Sequence, residues 1–205
     1  MAKIKTRDRI KIAAQGLFAE RGIEAVTVRE IVAAAQQKNM ASLHYYFRTK
    51  QELATELLRD AAVVIESHRT TLLDELEKKG GPHTLLEVLQ IFIECAIVPG
   101  DDPRNLSNVR LFVLAFRDDP KFVNEVLGDQ SEGAYLRCIN YCRHFMNHLT
   151  PEQIEMRLYL MQTYVFQALS SRESALSIES NHTKMWEQEM AVEELIKTTE
   201  GLLLA

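Results

Sequence analysis

Cysteine and histidine side chains of the kind that bind metal ions lie close together at Cys138, Cys142, His144 and His148. An α-helix turns by about 100° per residue, so the two cysteines would share one face and the two histidines another. One zinc ion therefore cannot contact all four side chains. We expect buried cysteines and surface histidines, with no metal ion and no other cofactor.

Sequence patterns of common enzymes are absent: the chain has no GxSxG motif, no glycine-rich phosphate loop and no HExxH motif. Its 3 cysteines form no disulfide framework, which is typical of a protein in a reducing cytoplasm. No apolar run approaches the ~20 residues that a membrane-spanning helix needs. These observations predict a cytoplasmic protein that is neither an enzyme nor a membrane protein.

Positive charge is concentrated at the N-terminal end of the chain. Residues 1–50 contain ten lysines and arginines but only four acidic residues, a net charge of +6, whereas the whole chain carries −5. The other 155 residues therefore carry −11. A basic end on an acidic body is typical of a protein that meets a polyanion at one end, although a solubilising basic tail would give the same charge.

Four helices are predicted in and just after this basic segment. Apolar residues at helical spacing predict a first helix over residues 6–21, and Thr27 with Glu30 forms a capping-box pattern that starts a second. Asn39 is expected to cap a short third helix, and a second capping-box pattern over residues 49–52 starts a long fourth one. Two short helices joined by a tight turn and supported by a preceding helix describe a helix-turn-helix unit.

Three blocks in this order carry a resemblance to a known family: AQGLFAERG (residues 14–22), TVREI (27–31) and LHYYFRTKQEL (43–53). Together they resemble the DNA-binding domain of the tetracycline-repressor (TetR) family, over about residues 7–58. Two departures from the family pattern are visible. Gln36 stands where the turn commonly has glycine, and one extra residue lies between Ile31 and Phe47.

Two kinds of DNA contact are expected from this segment. Phosphate contacts fall to side chains near helix starts, namely Thr27, Lys50 and the Tyr46 hydroxyl, and the resemblance adds His44 at a position often held by tyrosine. Arg29 matches a base-contacting position of the family and is the strongest candidate for guanine. The other expected base contacts are Lys38, Asn39, Met40, Ser42 and Tyr45. Each of these residues has a simpler alternative, as a solvated turn residue or a half-buried aromatic.

Nearly every later segment also has helical periodicity, apart from a predicted polar loop over residues 170–181. Only 8 glycines and 5 prolines are present in 205 residues, which favours long helices. The resemblance implies an effector-binding and dimerisation domain, with two helices packed against their copies; the corresponding segments here are about 120–149 and 151–169. Apolar side chains that could line an effector pocket, or simply belong to the core, are Phe92, Phe112, Phe116, Tyr159, Met161 and Phe166.

The sequence thus predicts an all-α protein: a three-helix helix-turn-helix domain (residues 1–50) joined by a long helix to a helical effector-binding and dimerisation domain (residues 51–205). We expect a homodimeric transcriptional regulator that binds a near-palindromic operator in double-stranded DNA. The simplest form is a repressor released by a small, largely apolar effector. The alternative is an activator or an effector-independent DNA-binding protein. A different kind of function, that of a helical adaptor or an enzyme whose basic N-terminal segment has no role in DNA binding, is also considered.

Overall fold

The computed structural model describes residues 5–98, 102–128, 133–177, 183–188 and 190–205. Those residues contain α-helices and one short 3₁₀ helix but no strand, which confirms the predicted all-α class. In chain order the helices are α1 (Thr6–Arg21), α2 (Val28–Ala34), α3 (Ala41–Phe47), α4 (Lys50–Lys78), α5 (Leu85–Glu94), the 3₁₀ helix (Pro103–Leu106), α6 (Asn108–Asp118), α7 (Pro120–Leu127), α8 (Ala134–Phe145), α9 (Pro151–Ser177), α10 (Thr183–Trp186) and α11 (Met190–Leu204). Within these ranges no helix combines the length and apolarity needed to cross a membrane.

The chain packs into two compact units that are not consecutive in sequence. The first unit consists of Met1–Ala62 and Gly100–Gly128, and the second of Val63–Pro99 and Asp129–Ala205. The helix-turn-helix segment therefore packs together with α6 and α7, which come from much later in the chain. The expected boundary at residue 50, between a DNA-binding domain and an effector-binding domain, divides the chain differently from these two units and stays a prediction.

The first unit is built around the apolar face of α1. Ile10, Ala14 and Phe18 are fully buried, as their helical spacing predicts, and they pack against Leu43 of α3 and Leu111 of α6. The apolar side of α4 completes this core, since all of the following are buried: Leu53, Ala54, Leu57, Leu58 and Ala61. A three-helix head thus obtains part of its core from α4 and α6, which a domain of about 50 residues needs for stability.

Two polar residues are also buried on α1, next to the apolar stripe. The Gln15 amide nitrogen lies within hydrogen-bond distance of the Arg104 carbonyl (3.0 Å), the Ser107 hydroxyl (3.1 Å) and the Asn108 side-chain oxygen (2.8 Å), and its two protons can serve two of these acceptors at a time. The ammonium group of Lys11 pairs with Glu56 and Asp60 of α4. Local sequence patterns do not predict either role, because the partners lie 45 to 93 positions away in the chain.

The second unit contains the C-terminal part of α4, together with α5, α8, α9, α10 and α11. A full capping box between Thr84 and Glu87 starts α5, whose hydrophobic side chains are buried on more than one face. Met161, Val165 and Leu169 recur along the inner face of α9. This unit has a helical core of its own.

Two predicted elements were wrong in extent. The segment from about 120 to 149 is not one helix, because α7 ends at Leu127 and α8 begins only at Ala134. Gly128 (φ +67°) and Gly133 (φ +112°) adopt a backbone conformation that interrupts a right-handed helix. The predicted loop over 170–181 is also wrong for residues 170–177, which extend α9; residues 178–181 lie outside the described residues.

Candidate nucleic-acid interface

The start of α2 has the predicted capping box. The Glu30 carboxylate accepts hydrogen bonds from the backbone N–H (2.8 Å) and hydroxyl (2.7 Å) of Thr27, while the Glu30 N–H donates to that hydroxyl (3.3 Å). These hydrogen bonds, together with one from Arg21 (2.8 Å), lower the pKa of Glu30 to about 2. The Thr27 hydroxyl therefore already serves to fix the start of α2, and its expected phosphate contact stays a prediction.

The turn between α2 and α3 has a residue in the left-handed region. Gln36 has φ +55°, and it occupies the position where the sequence resemblance leads one to expect glycine. A side chain at such a backbone conformation costs about 1–2 kcal/mol that glycine does not. The helix-turn-helix geometry is thus retained at some expense of stability.

Replacing Gln36 with glycine is expected to leave the free energy of unfolding unchanged or to raise it by up to about 1 kcal/mol, because glycine removes this strain but has a larger unfolded-state entropy. The matched control is Ala33→Gly, at an exposed position inside α2, which should lower it by about 0.5–1 kcal/mol. Urea unfolding of the three proteins measures the difference. Equal losses at both positions would show that the Gln36 backbone is not strained.

One side of α3 faces outward. Leu43 and Phe47 are buried, as predicted, while Tyr45 is 82% exposed and packs edge-on against the Tyr46 ring, with 4.9 Å between the centroids. The expected base-reading and phosphate-contacting residues around them are exposed or half-buried: Lys38, Asn39, Met40, Ser42 and His44. The turn and α3 therefore offer polar, cationic and aromatic groups on one accessible helix.

Three of these side chains also make local hydrogen bonds. The Asn39 side-chain oxygen accepts from the Ala41 N–H (2.9 Å), so Asn39 caps α3 from one position before its formal N-cap, Met40. The Ser42 hydroxyl donates to the Asn39 carbonyl (2.5 Å), and His44 Nδ1 lies 2.6 Å from the Arg48 carbonyl. The Asn39 side-chain oxygen keeps a second lone pair beside the NH₂ group, so the side chain retains both the acceptor and the donor that bidentate recognition of adenine needs.

Lys50 has an internal role that the sequence did not predict. Its ammonium group donates hydrogen bonds to the carbonyls of Ile23 (2.8 Å), Glu24 (3.3 Å) and Val26 (3.0 Å). An ammonium has three protons, so all are used in holding the α1–α2 connection against the start of α4. The expected phosphate contact of Lys50 would require exchange of one of these bonds.

The positive charge of the head is only partly available to a ligand. Among the described cations of residues 5–50, several are paired within the first unit: Arg7 and Lys11 with Glu56, and Arg21 with Glu30. The exposed cations with no ion pair among the described residues are Lys5, Arg29, Lys38 and Arg48. The described part of the head therefore keeps these four cations available to a polyanion.

The structure does not bring the six expected effector-site residues together. Phe92 and Phe166 lie near each other in the second unit, with 6.2 Å between ring centroids, and Met161 is buried in the same unit. Phe112 packs against the core of the first unit, and Phe116 belongs to that unit but is exposed. Tyr159 is exposed on α9. The six residues thus divide between the two units, and their expected role in effector binding stays a prediction.

The cysteines and histidines of α8 and the loop after it are placed as the helical spacing predicts. Cys138 and Cys142 are fully buried, and burial raises the pKa of each thiol to about 12. His144 and His148 are exposed. In the part of the chain that the structure describes, no group of three or more histidines, cysteines and carboxylates is arranged to hold a metal ion.

Comparisons with known proteins agree with the helix-turn-helix architecture. Residues 12–57 match the profile of the family described as bacterial regulatory proteins, tetR family. The whole fold is similar to that of a TetR-like transcriptional regulator from Rhodococcus sp. RHA1, with a TM-score of 0.60, 18% identity, and coverage of 100% of this chain and 96% of that one. It is also similar to a transcriptional regulator from Aquifex aeolicus VF5, with a TM-score of 0.53, 21% identity, and coverage of 98% and 99%. No curated protein sequence matches the chain.

Proposed function

We propose that the chain, whose residues 12–57 match the tetR family of bacterial regulatory proteins, is a sequence-specific, double-stranded-DNA-binding transcriptional regulator in the cytoplasm. It acts as a homodimer on a near-palindromic operator. We assign it no catalytic step. The simplest regulatory scheme is a repressor that a small effector releases from DNA.

The single observation that carries this proposal is the outward face of α3. It is the second helix of a helix-turn-helix unit, the position from which such proteins contact the major groove. Its exposed side chains combine hydrogen-bond donors with a tyrosine that is 82% exposed, and four exposed, unpaired cations lie in the same head. A large exposed aromatic beside unpaired cations has little structural purpose on a free protein surface, and it suits contact with DNA.

The contacts divide by side-chain chemistry. Arg29 and Lys38 are exposed cations suited to guanine, Met40 is suited to a thymine methyl group, and Tyr45 supplies an apolar face with a hydroxyl. Lys50 is assigned to positioning, because its ammonium group already bonds three backbone carbonyls. Thr27, His44 and Tyr46 are assigned to the phosphate backbone near the helix starts.

The DNA-binding proposal is tested on an operator obtained by in-vitro selection from random duplexes. Arg29→Ala and Lys38→Ala are each expected to weaken binding by about 5- to 150-fold, because one base contact contributes about 1–3 kcal/mol. The control Lys79→Ala removes an exposed lysine from the second unit and should bind like the wild type. Fluorescence anisotropy at fixed salt concentration measures all four proteins. Failure to enrich any sequence, or full affinity of both variants, would contradict the proposal.

The effector part of the proposal rests on the division into two units. We assign effector binding to the second unit, which has a helical core of its own and shares α4 with the first unit. An effector releases the operator only if it binds the DNA-incompetent conformation more tightly than the competent one. A ligand that raises the melting temperature but leaves operator affinity unchanged would contradict this coupling and favour an effector-independent regulator.

We place the dimer interface on α9 and not on the segment from 120 to 149, which is broken into two helices. Four large apolar side chains of α9 are exposed at helical spacing: Met156, Tyr159, Leu160 and Tyr164. The Tyr164 hydroxyl lies 2.9 Å from the Thr198 hydroxyl of α11, so α11 borders the same surface. By contrast, α8 exposes no large hydrophobic side chain.

A further inference from the structure

A buried arginine of the second unit has a hydrogen-bond donor with no partner in the part of the chain that the structure describes. Arg69 of α4 is only 6% exposed. Its Nη1 pairs with Glu66, one turn earlier in the same helix. Its Nε is fully buried and has no hydrogen-bond partner among the described residues. Unpaired buried N–H groups are rare in folded proteins, so an acceptor is expected at this point.

The surroundings of this guanidinium are aromatic and apolar. It lies over the rings of Tyr135 (5.3 Å to the centroid) and Phe92 (5.8 Å), and the ring of Phe166 lies 6.2 Å from that of Phe92. The buried thiols of Cys95 and Cys138 are its other neighbours, and burial raises the pKa of both, so they are uncharged at neutral pH. None of these groups can neutralise the arginine.

The Glu66 carboxylate contacts Arg69 through Nη1 only and is itself held by a second hydrogen bond. One oxygen accepts the Arg69 hydrogen bond, and the other accepts from the backbone N–H of Tyr135 (3.1 Å) in the first turn of α8. The amino end of a helix carries partial positive charge, which also favours a carboxylate there. Glu66 thus occupies the Nη1 side of the guanidinium, and no acceptor among the described residues is placed at its Nε.

We propose that the Arg69 guanidinium binds the carboxylate of a small monocarboxylic acid whose apolar part packs against Phe92, Tyr135 and Phe166. A planar carboxylate fits the Nε edge of a guanidinium with two parallel hydrogen bonds. The inference rests on the proposed function, of which it specifies the effector class. The sequence predicts a small, largely apolar effector, and the proposal adds a carboxylate head group to it.

The test measures binding directly at Arg69 in the full-length protein. With ¹⁵N-labelled arginine, the Nε–H resonance of Arg69 is assigned as the one that disappears in Arg69→Met. Octanoate, decanoate, benzoate and phenylacetate are then titrated, each against its matched alcohol, with inorganic phosphate as a further probe. At least one acid is expected to shift the Arg69 resonance and to bind about 10- to 100-fold more tightly than its alcohol, as one charge-assisted contact allows.

Three variants separate binding from folding. Arg69→Met is expected to abolish acid binding, and Arg69→Lys, which keeps the charge but lacks the two-donor edge, to weaken it by about tenfold. The control Arg143→Met breaks a more exposed arginine–glutamate pair, with Glu155, in the same unit and should bind like the wild type. If Arg69→Met does not fold, the proposal is tested by whether Arg69→Lys binds the acid more weakly than the wild type does.

The proposal is overturned if all four acids leave the Arg69 resonance unshifted, if an alcohol or phosphate binds as tightly as every acid, or if Arg69→Lys binds as the wild type does. Anisotropy on the selected operator is recorded with the same samples. Intact operator binding without acid binding would reject only the ligand class. Acid binding without operator binding would reject the regulator function and leave the carboxylate site standing.

Discussion

Replacing Tyr159 and Leu160 together with lysine is expected to make the protein monomeric and to weaken operator binding by a factor on the order of 100 or more, because one half-site loses several contacts of about 1–3 kcal/mol each. Both side chains are exposed on α9, Tyr159 by 66%. In a two-fold interface the same surface meets its own copy, so the two substitutions would bring four lysines together.

The physical reason for placing the interface here is the spacing of exposed apolar residues on one helix. Met156, Tyr159, Leu160 and Tyr164 stand at i, i+3, i+4 and i+8, which is a single stripe of an α-helix. A contiguous apolar stripe in water is typical of a surface that is covered by a partner. The inner face of α9 is already occupied by the core of the second unit, so this stripe is a second, outward one.

Sedimentation measurements at micromolar concentration, followed by operator titration, test the prediction. The control is Val63→Lys, which also places a lysine at an apolar residue of similar exposure (64%), but on α4. It should remain a dimer with unchanged operator affinity. A Tyr159→Lys, Leu160→Lys protein that sediments as a dimer would show that the copies meet through another surface.

The local features of the head could be predicted from sequence because they depend on near neighbours. Thr27 and Glu30 lie three residues apart, and their capping box forms from those two side chains alone. The buried stripe of α1 likewise follows from helical spacing. Asn39 was predicted as the cap of α3. Its side-chain oxygen does accept a hydrogen bond from the Ala41 N–H, but the formal N-cap of α3 is Met40, one residue later.

Features that depend on distant partners could not be predicted in this way. Hydrophobicity indicates that Phe92 and Phe112 are inward-facing, but not that they belong to different compact units. The roles of Gln15 and Lys50 are set by backbone carbonyls that local patterns do not place. For the glycines at 128 and 133, the sequence indicates a weak point in a helix, and only the fold shows that the chain stops being helical there.

The buried charge of Lys11 gives the second large effect. Lys11 is only 5% exposed, and its ammonium group pairs with Glu56 (2.7 Å) and with Asp60. Replacing both carboxylates by their amides, Glu56→Gln with Asp60→Asn, removes the charges but keeps the shapes. The free energy of unfolding is expected to fall by about 3–5 kcal/mol, because a buried ammonium is left without an anion.

Adding Lys11→Met to that double variant should restore most of the lost stability. A buried ion pair can often be replaced by apolar side chains of similar volume at little cost, whereas breaking it on one side is expensive. The other cations in contact with these carboxylates tolerate the change: Arg104 keeps its pair with Asp102 (2.6 Å), and Arg7 is partly exposed. Urea unfolding of the wild type, the double and the triple variant measures the difference, and a triple variant no more stable than the double would contradict the assignment.

Acid provides an independent check on the same network. Burial by itself would raise the pKa of Glu56, but the hydrogen bond and charge of Lys11 lower it below the ordinary value of 4.5. A group with a lowered pKa in the folded state stabilises the protein above its ordinary pKa, and this contribution is lost as the pH falls further. The stability gap between the wild type and the double variant should therefore be constant near neutral pH and shrink below about pH 4.5. A gap that persists unchanged in acid would show that charge is not what Glu56 and Asp60 contribute.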